Sequence, residues 1–393
     1  MDFHWLNLRS NRILLPLTAV AVLGMIYVES GKREVRSPWY DEMLRAAEIS
    51  AEAARHLKDY RLERGVFVDR INDPAETALI GQEYTQITTD RGYLDAKLAS
   101  TDPNFAAAIV EMLRQLEVED GACAAVAMTG SFPALNLSVL AALDALGMKV
   151  ASISSVGASN YGATDPFFTW LDMEAELVSA GVLSTPSLAA SLGGGNDTGR
   201  GLSPRGRELL QAAATRHAVP LIAAEQLESN VQRRVGLYRQ GCTPQEIGVF
   251  VNVGGGVASL GHSLNADLIP SGPSATVPMR NFPFRGVLLR LNEEGVPVIH
   301  LLNVRALRDR YGLVAAQGDP IPPGVGEVFG RTRYSVVRAV VVGTGLAALL
   351  IALFAFDRRV HRLGNQEPDR ESPEGSREGE VQAAVVSLEE EAS

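Results

Sequence analysis

Two long apolar runs lie near the ends of the chain, with a mixed pattern between them. Residues 13–28 read ILLPLTAVAVLGMIYV and follow Arg9 and Arg12. Residues 339–356 read AVVVGTGLAALLIALFAF and have arginines on both sides. Because a helix that crosses a bilayer needs roughly 20 apolar residues, both runs predict transmembrane helices.

The first run also has the charged start and short apolar stretch of a cleaved signal peptide. However, Glu29, Ser30, Gly31 and Lys32 follow it, and these do not form a small-residue cleavage site. We therefore expect an uncleaved anchor, which puts both termini on one side of the membrane. The positive charges that flank the two spans are nearly balanced. The positive-inside rule gives little weight to charges that are attached to long translocated domains, and this favours a central domain outside the cytoplasm.

Between the spans, the pattern changes from helical to alternating. Residues 38–63 and 93–116 carry apolar positions at helical spacing. From residue 122 onward, short continuous apolar runs alternate with helical segments, as in parallel strands that are buried on both faces. This predicts an α/β fold: a doubly wound, mainly parallel sheet flanked by two transmembrane helices. The predicted strands are residues 122–128, 150–155, 220–224, 247–253 and 296–302.

These patterns divide the chain into six predicted segments. The segments are an N-terminal tail (1–12), a transmembrane helix (13–28), a helical lead-in (29–120), the α/β domain (121–330), a second transmembrane helix (336–356) and a disordered acidic tail (357–393).

The composition excludes some classes of protein. Of 393 residues, 46% are hydrophobic, which is enough to fill a sizeable core. The formal net charge is −10, whereas nucleic acids select basic surfaces, so we expect no nucleic-acid partner. The two cysteines, Cys123 and Cys242, lack CxxC spacing. We expect neither a structural metal site nor a disulfide between them.

Three polar, glycine-containing loops are predicted at the carboxyl ends of strands, where open α/β sheets bind ligands. The first leads into a helix, so its free backbone N–H groups and hydroxyls can hold an anion. The second is richer in hydroxyls, amide and carboxylate groups than a plain turn needs. The third has three glycines that let the backbone approach a ligand closely. The candidate ligand-binding residues are Thr129, Gly130 and Ser131 in the first loop; Ser154, Ser155, Asn160, Asp165 and Asp172 in and after the second; and Asn252, Gly254, Gly255 and Gly256 in the third.

A simpler interpretation is that these residues only make turns and cap helices. The third loop lacks both GxGxxG and the lysine of a P-loop, so nucleotide binding is a weak signal. If the loops do share a cleft, Asp165 and Asp172 are expected at its rim, where they could hold a cation. Residues 193–197, GGGND, are typical of a mobile surface loop, either a lid or a linker.

No catalytic residue, cofactor or metal ligand is assigned by the sequence. Ser131 is a candidate nucleophile, but it is not in a G-x-S-x-G context. His217, His262 and His300 are candidate bases, and the spacing does not show which of them, if any, reaches Ser131.

Three segments carry a resemblance to a known family. They are residues 128–174 (beginning MTGSFPALNLSVL), 199–210 (GRGLSPRGRELL) and 251–261 (VNVGGGVASLG). They resemble the bacterial poly-γ-glutamate system protein family, whose members are associated with synthesis and export of that polymer at the cell membrane. The resemblance implies a membrane-anchored component of this machinery, with other membrane subunits and the anionic polymer as partners. The residues alone leave two alternatives open: a membrane-tethered hydrolase or transferase acting on an amide or phosphate group, and a scaffold.

Overall fold

The computed structural model describes residues 11–66, 68–222, 224–314 and 318–364. Residues 34–332 form one compact unit, and the two terminal segments form another. Residues 34–120 of the predicted helical lead-in therefore belong to the same compact unit as the α/β sheet. Residues 1–10 of the predicted N-terminal tail and residues 365–393 of the predicted acidic tail lie outside the described residues.

The structure contains the following strands and helices in chain order. The strands are β1 (Arg33–Arg36), β2 (Thr88–Asp90), β3 (Cys123–Thr129), β4 (Lys149–Ser155), β5 (Ala158–Ser159), β6 (Ala189–Ser191), β7 (Ile247–Val253), β8 (Gly272–Ser274), β9 (Val298–Leu301) and β10 (Gly330–Arg333). The helices are α1 (Asn11–Glu29), α2 (Tyr40–Glu63), α3 (Leu94–Ser100), α4 (Phe105–Gln115), α5 (Pro133–Ala145), α6 (Trp170–Ser179), α7 (Pro204–Arg216), α8 (Leu227–Cys242), α9 (Val257–Leu260), α10 (Asn265–Leu268), α11 (Val287–Glu293), α12 (Val304–Arg310) and α13 (Val336–Gly364).

A six-stranded sheet organises the central unit. Its strand order is β6-β4-β3-β7-β9-β8. The first five strands in this order are parallel, and β8 runs antiparallel to β9 at the edge. The expected mixed α/β fold with a mainly parallel sheet flanked by helices is therefore confirmed.

Both faces of the sheet are covered, as the continuous apolar strands predicted. In β3, Ala124, Val126 and Met128 contribute to the core on the side of α2, α4 and α5. Ala125 and Ala127 contribute to the core on the side of α8 and α11. Successive side chains of a strand point to opposite faces, so a strand between two helical layers must be apolar at every position.

One predicted strand is wrong. Leu221, in the predicted strand 220–224, makes only an isolated bridge to Ala190. The strand beside β4 is instead β6, whose sequence Ala-Ala-Ser has neither the length nor the β-branched residues that signal a strand.

The terminal unit contains two apolar helices, and one of them is long enough to cross a membrane. Val336–Phe356 has 21 residues and a mean hydropathy of 2.5. The apolar part of α1, Leu14–Glu29, is shorter, and no other helix in the described ranges meets the same length and hydropathy. The two helices contact each other, for a Cβ atom added to Gly24 would lie 2.7 Å from Val342 Cγ1. The structure thus shows one candidate span, and the second span stays a prediction.

A disulfide joins Cys123 to Cys242, contrary to the sequence-based expectation. The two residues are 119 positions apart, but Cys123 begins β3 and Cys242 ends α8, with a Cα–Cα distance of 5.6 Å. Both are fully buried. The expectation failed because the helix that brings the two thiols together is not visible in their spacing.

Candidate functional site

The chain reverses its direction of travel across the sheet between β3 and β7. From β3 it proceeds to β4 and β6 on one side, then returns to β7 and β9 on the other. At such a switch point the connections after the two central strands leave in opposite directions and open a crevice at the carboxyl edge, where α/β proteins bind ligands. The first and third predicted loops flank this crevice.

These two loops touch each other. Gly254 has a φ of +80°, and a Cβ atom there would lie 2.8 Å from Thr129 Oγ1. A Cβ atom on Gly256 would lie 3.4 Å from Thr129 Cγ2. Glycine is therefore needed at residue 254 both for its backbone conformation and for the close approach of β3.

The third loop presents consecutive backbone amides without acceptors. Gly254 N–H donates to the Leu301 carbonyl at 2.9 Å. The next four amides, those of residues 255–258, donate to no acceptor among the described residues. Gly255 is exposed and Gly256 is half-buried, so solvent reaches the first of these groups. Successive free N–H groups in a glycine turn form a concave site for an anion.

The first loop supplies further donors on the other side of the crevice. The amides of Ser131, Ala134 and Leu135 likewise donate to no described acceptor at the start of α5. Thr129 is 6% exposed, and its hydroxyl has no hydrogen-bond partner within the described part of the chain. An unpartnered buried hydroxyl is costly to keep, so its position beside the free amides points to a ligand.

Two further unpartnered groups lie below the third loop on the same face of the sheet. Asn252 and His300 are opposite each other on β7 and β9, and both are fully buried. Asn252 Nδ2 donates to the Gly254 carbonyl at 2.8 Å and to His300 Nδ1 at 2.9 Å. Burial lowers the pKa of His300 to about 4, so its ring is neutral. Because Nδ1 accepts from Asn252 Nδ2, the proton of the neutral ring is on Nε2. Asn252 Oδ1 and His300 Nε2 make no hydrogen bond to the described residues.

The second loop packs against the first, but its side chains serve the fold. Ala163 N–H donates to the Gly130 carbonyl at 2.7 Å. The side chain of Asn160 accepts from Gly92 N–H at 3.1 Å and donates to the Glu83 carbonyl at 2.7 Å, which ties this loop to the lead-in. Ser154, on the opposite face from Ser155, bonds to Ser187 Oγ at 2.8 Å. Neither Asn160 nor Ser154 presents its polar group to the crevice.

Ser155 belongs to a buried ion-pair cluster that the sequence did not reveal. Arg234 on α8 donates to Asp197 Oδ2 at 2.7 Å and to Ser191 Oγ at 2.6 Å, and Ser155 Oγ donates to Asp197 Oδ1 at 3.0 Å. Asn230 Nδ2 also donates to Asp197, at 2.9 Å. Arg234 and Asp197 are 2% and 1% exposed. The glycine-rich segment 193–197, which was expected to be mobile, is instead held in place by this pair.

The two acidic candidates also have structural roles. Asp172 caps α6 together with Thr169 and accepts two hydrogen bonds from Arg216, both at 2.8 Å. His217 Nε2 lies 2.7 Å from the same carboxylate. Asp165 Oδ1 accepts from Phe167 N–H at 2.9 Å in a local turn. No group of three or more His, Cys, Asp or Glu side chains in the described ranges is arranged to hold a metal ion.

Among the described residues, none of the three candidate histidines hydrogen-bonds to Ser131. His217 bonds to Asp172, His300 bonds to Asn252, and His262 accepts from Leu264 N–H. Ser131 Oγ instead accepts from Ser159 N–H at 3.0 Å.

A residue that the sequence did not single out lies beside Ser131. Lys97 on α3 is 2% exposed, and its amine donates to the Ser131 carbonyl and, at 2.9 Å, to Ser159 Oγ. The amine also lies 3.7 Å from the centre of the Phe132 ring. Burial lowers the pKa of Lys97 to about 7. One lysine in the helix LDAKLAS has no sequence signal that separates it from a surface residue.

Comparisons with protein families, with curated proteins and with solved structures find no match.

Proposed function

We propose that this protein is a membrane-anchored component of poly-γ-glutamate synthesis or export whose central domain binds the anionic polymer. One observation carries the proposal: at the switch point of the sheet, the loop whose amides 255–258 have no acceptor among the described residues contacts Thr129, whose hydroxyl also has no described partner. A carboxylate accepts several hydrogen bonds, and bonds to a charged group contribute about 1.5–3 kcal/mol each. The motif resemblance supplies the identity of the polymer.

The proposal places the domain outside the cytoplasm, between two membrane spans. The buried disulfide between Cys123 and Cys242 supports this side of the membrane, because disulfides persist in oxidising compartments. The contact between α1 and α13 supports two helices that cross together. Exposed apolar residues on α13, including Leu350 and Ile351, offer a surface to lipid or to other membrane subunits.

Substitution of Gly255 by valine tests the anion site. A Cβ atom there would meet only Leu302 Cδ1, at the ordinary contact distance of 3.7 Å, so the fold accommodates a side chain. A branched side chain next to the free amides should weaken binding of fluorescently labelled poly-γ-glutamate about tenfold or more. The measurement is a binding isotherm of the purified full chain in nanodiscs.

Gly236→Val is the matched control. Gly236 is exposed on α8 with no atom within 4 Å of an added Cβ, and valine is no worse than glycine in a helix. It should leave the affinity unchanged. If the unaltered protein binds inorganic phosphate but not the polymer, the anion site stands and the polymer assignment is wrong. If it binds neither, or if Gly255→Val binds normally, the crevice is not the binding site.

A further inference from the structure

The surroundings of Lys97 are those of a reactive amine rather than of a structural cation. A buried lysine is ordinarily paired with a carboxylate, because burial penalises the unpaired charge. Lys97 makes no ion pair with the described residues. Its contacts are the Ser131 carbonyl, the Ser159 hydroxyl and the Phe132 ring. Desolvation is thus uncompensated by any neighbouring negative charge, and the neutral amine is well populated near neutral pH.

The neutral amine can serve the adjacent hydroxyl as a base. It has two N–H bonds and one lone pair, so it can donate to the Ser131 carbonyl while it accepts the proton of Ser159 Oγ, 2.9 Å away. A desolvated lysine beside a serine hydroxyl is one of the arrangements that activate a nucleophile.

The pair adjoins the proposed anion site. Ser159 N–H donates to Ser131 Oγ at 3.0 Å, and Ser131 lies two residues beyond Thr129 in the first loop. Ser159 is 9% exposed, and both Ser131 and Asn160 beside it are half-buried. The pair is thus connected through the first loop to the residues that the third loop contacts, and a substrate that extends from the free amides along the first loop would approach it.

We propose that Ser159 and Lys97 form a nucleophile–base pair that cleaves an amide bond in a carboxylate-bearing substrate. Ser159 Oγ attacks the amide carbon while its proton moves to Lys97 Nζ. The C–N bond then breaks as Lys97 returns that proton to the leaving amine, which leaves an ester on Ser159. Water attacks the ester as Lys97 accepts a proton from it. The C–O bond to Ser159 then breaks as Lys97 returns that proton to Ser159 Oγ, which releases a carboxylic acid and restores the pair. Only the substrate class rests on the proposed polymer function; the pair itself does not.

A fluorophosphonate probe tests the nucleophile without the natural substrate. The full chain in nanodiscs should become labelled on the peptide that contains Ser159, and Ser159→Ala should abolish this label. Lys97→Met, which has similar length and no charge, should slow labelling at least 100-fold. Ser138→Ala is the matched control: Ser138 is also buried, but it donates to the Ala134 carbonyl of its own helix.

The labelling rate should rise with pH through a midpoint near 7 as Lys97 loses its proton. If Lys97→Met does not fold, this pH profile of the unaltered protein decides the question. No label on Ser159, or a rate independent of pH between 5 and 9, would overturn the pair. Binding of labelled polymer by Ser159→Ala separates the two proposals. If the polymer binds normally but Ser159 is unreactive, the domain binds the polymer without this catalysis. If Ser159 is reactive but the polymer does not bind, the protein is an amidase that acts on another substrate.

Discussion

Replacement of Asp197 by alanine should strongly destabilise the central domain. Its carboxylate accepts hydrogen bonds from Arg234, Ser155, Ser191 and Asn230 at 2.7–3.0 Å. With Arg234 only 2% exposed, the substitution leaves a buried guanidinium without a counter-charge. Breaking one side of a buried ion pair in this way costs about 3–5 kcal/mol.

The same carboxylate holds a segment with an unfavourable backbone. Asn196 and Asp197 have φ angles of +56° and +64°, a region that residues other than glycine rarely adopt. Without the ion pair, this segment loses the interaction that keeps it in that conformation, which adds to the cost. The loss of stability should lower the thermal midpoint by roughly 5–15 °C, measured by near-ultraviolet circular dichroism of the full chain in detergent.

Asp95→Ala is the control, because Asp95 pairs with Arg305 at 2.7 Å but both side chains are more than half exposed. Surface pairs contribute about 0–1 kcal/mol. The double variant Asp197→Ala/Arg234→Met should lose less stability than the sum of the single variants. Each single substitution leaves one buried charge without its partner, whereas the double variant removes both charges. A cost for Asp197→Ala no larger than that for Asp95→Ala would refute the reasoning.

Three further predictions concern other parts of the central unit. Burial raises the pKa of Glu174 to about 7, so its ionisation should destabilise the fold as the pH rises from about 4.5 to 7. Glu174→Gln should therefore stabilise the protein by roughly 3 kcal/mol at pH 8 and have little effect at pH 4.5. Denaturant titrations at the two pH values measure this difference. Denatured protein from intact cells should show no free thiol at Cys123 or Cys242 until it is reduced, and two alkylated thiols without reduction would contradict an extracytoplasmic domain. Thr129→Val should leave the thermal midpoint unchanged or raise it while weakening polymer binding, because it removes an unpartnered buried hydroxyl; normal binding would show that this hydroxyl is not used.

The parts of the site that the sequence predicted are those set by local pattern and by topology. The continuous apolar run of β3 and the helix signal of Pro133 fixed a strand and a helix with a Thr-Gly-Ser loop between them. Once β7 is also a parallel strand, its Gly-Gly-Gly loop must emerge at the same edge. That the first and third loops share one edge thus followed from strand direction, whereas their adjacency depends on the strand order, which places β7 beside β3.

The parts that the sequence did not predict depend on contacts between distant residues. Asp197 and Arg234 are 37 residues apart, and GGGND has the composition of a flexible linker, so nothing local indicated a buried ion pair. The disulfide and Lys97 were missed for the same reason. Burial of one lysine or one cysteine is a property of the packed structure, whereas a strand or helix period is a property of neighbouring residues.

The distribution of unpartnered groups along the carboxyl edge locates the site more sharply than the loops do. Register places Ser191, Ser155 and Thr129 side by side on β6, β4 and β3. The hydroxyls of the two serines find their hydrogen-bond partners in each other, in Arg234 and in Asp197. Beyond them, Thr129, Asn252 and His300 each keep an unpartnered atom, at a cost of about 1–3 kcal/mol per buried group.

At the carboxyl edge of the sheet, the polar side chains on β6 and β4 have hydrogen-bond partners, whereas those on β3, β7 and β9 each have an atom without one among the described residues. Such a difference between neighbouring strands calls for an explanation on the side that lacks partners. Buried polar atoms without partners also occur elsewhere in the described chain, as at Ser152 on β4. At the carboxyl ends of β3, β7 and β9, however, Thr129, Asn252 and His300 lie near the glycine loop with its free amides. This group of atoms supports the proposal that a ligand binds in the crevice between β3 and β7, where the second loop packs against the first.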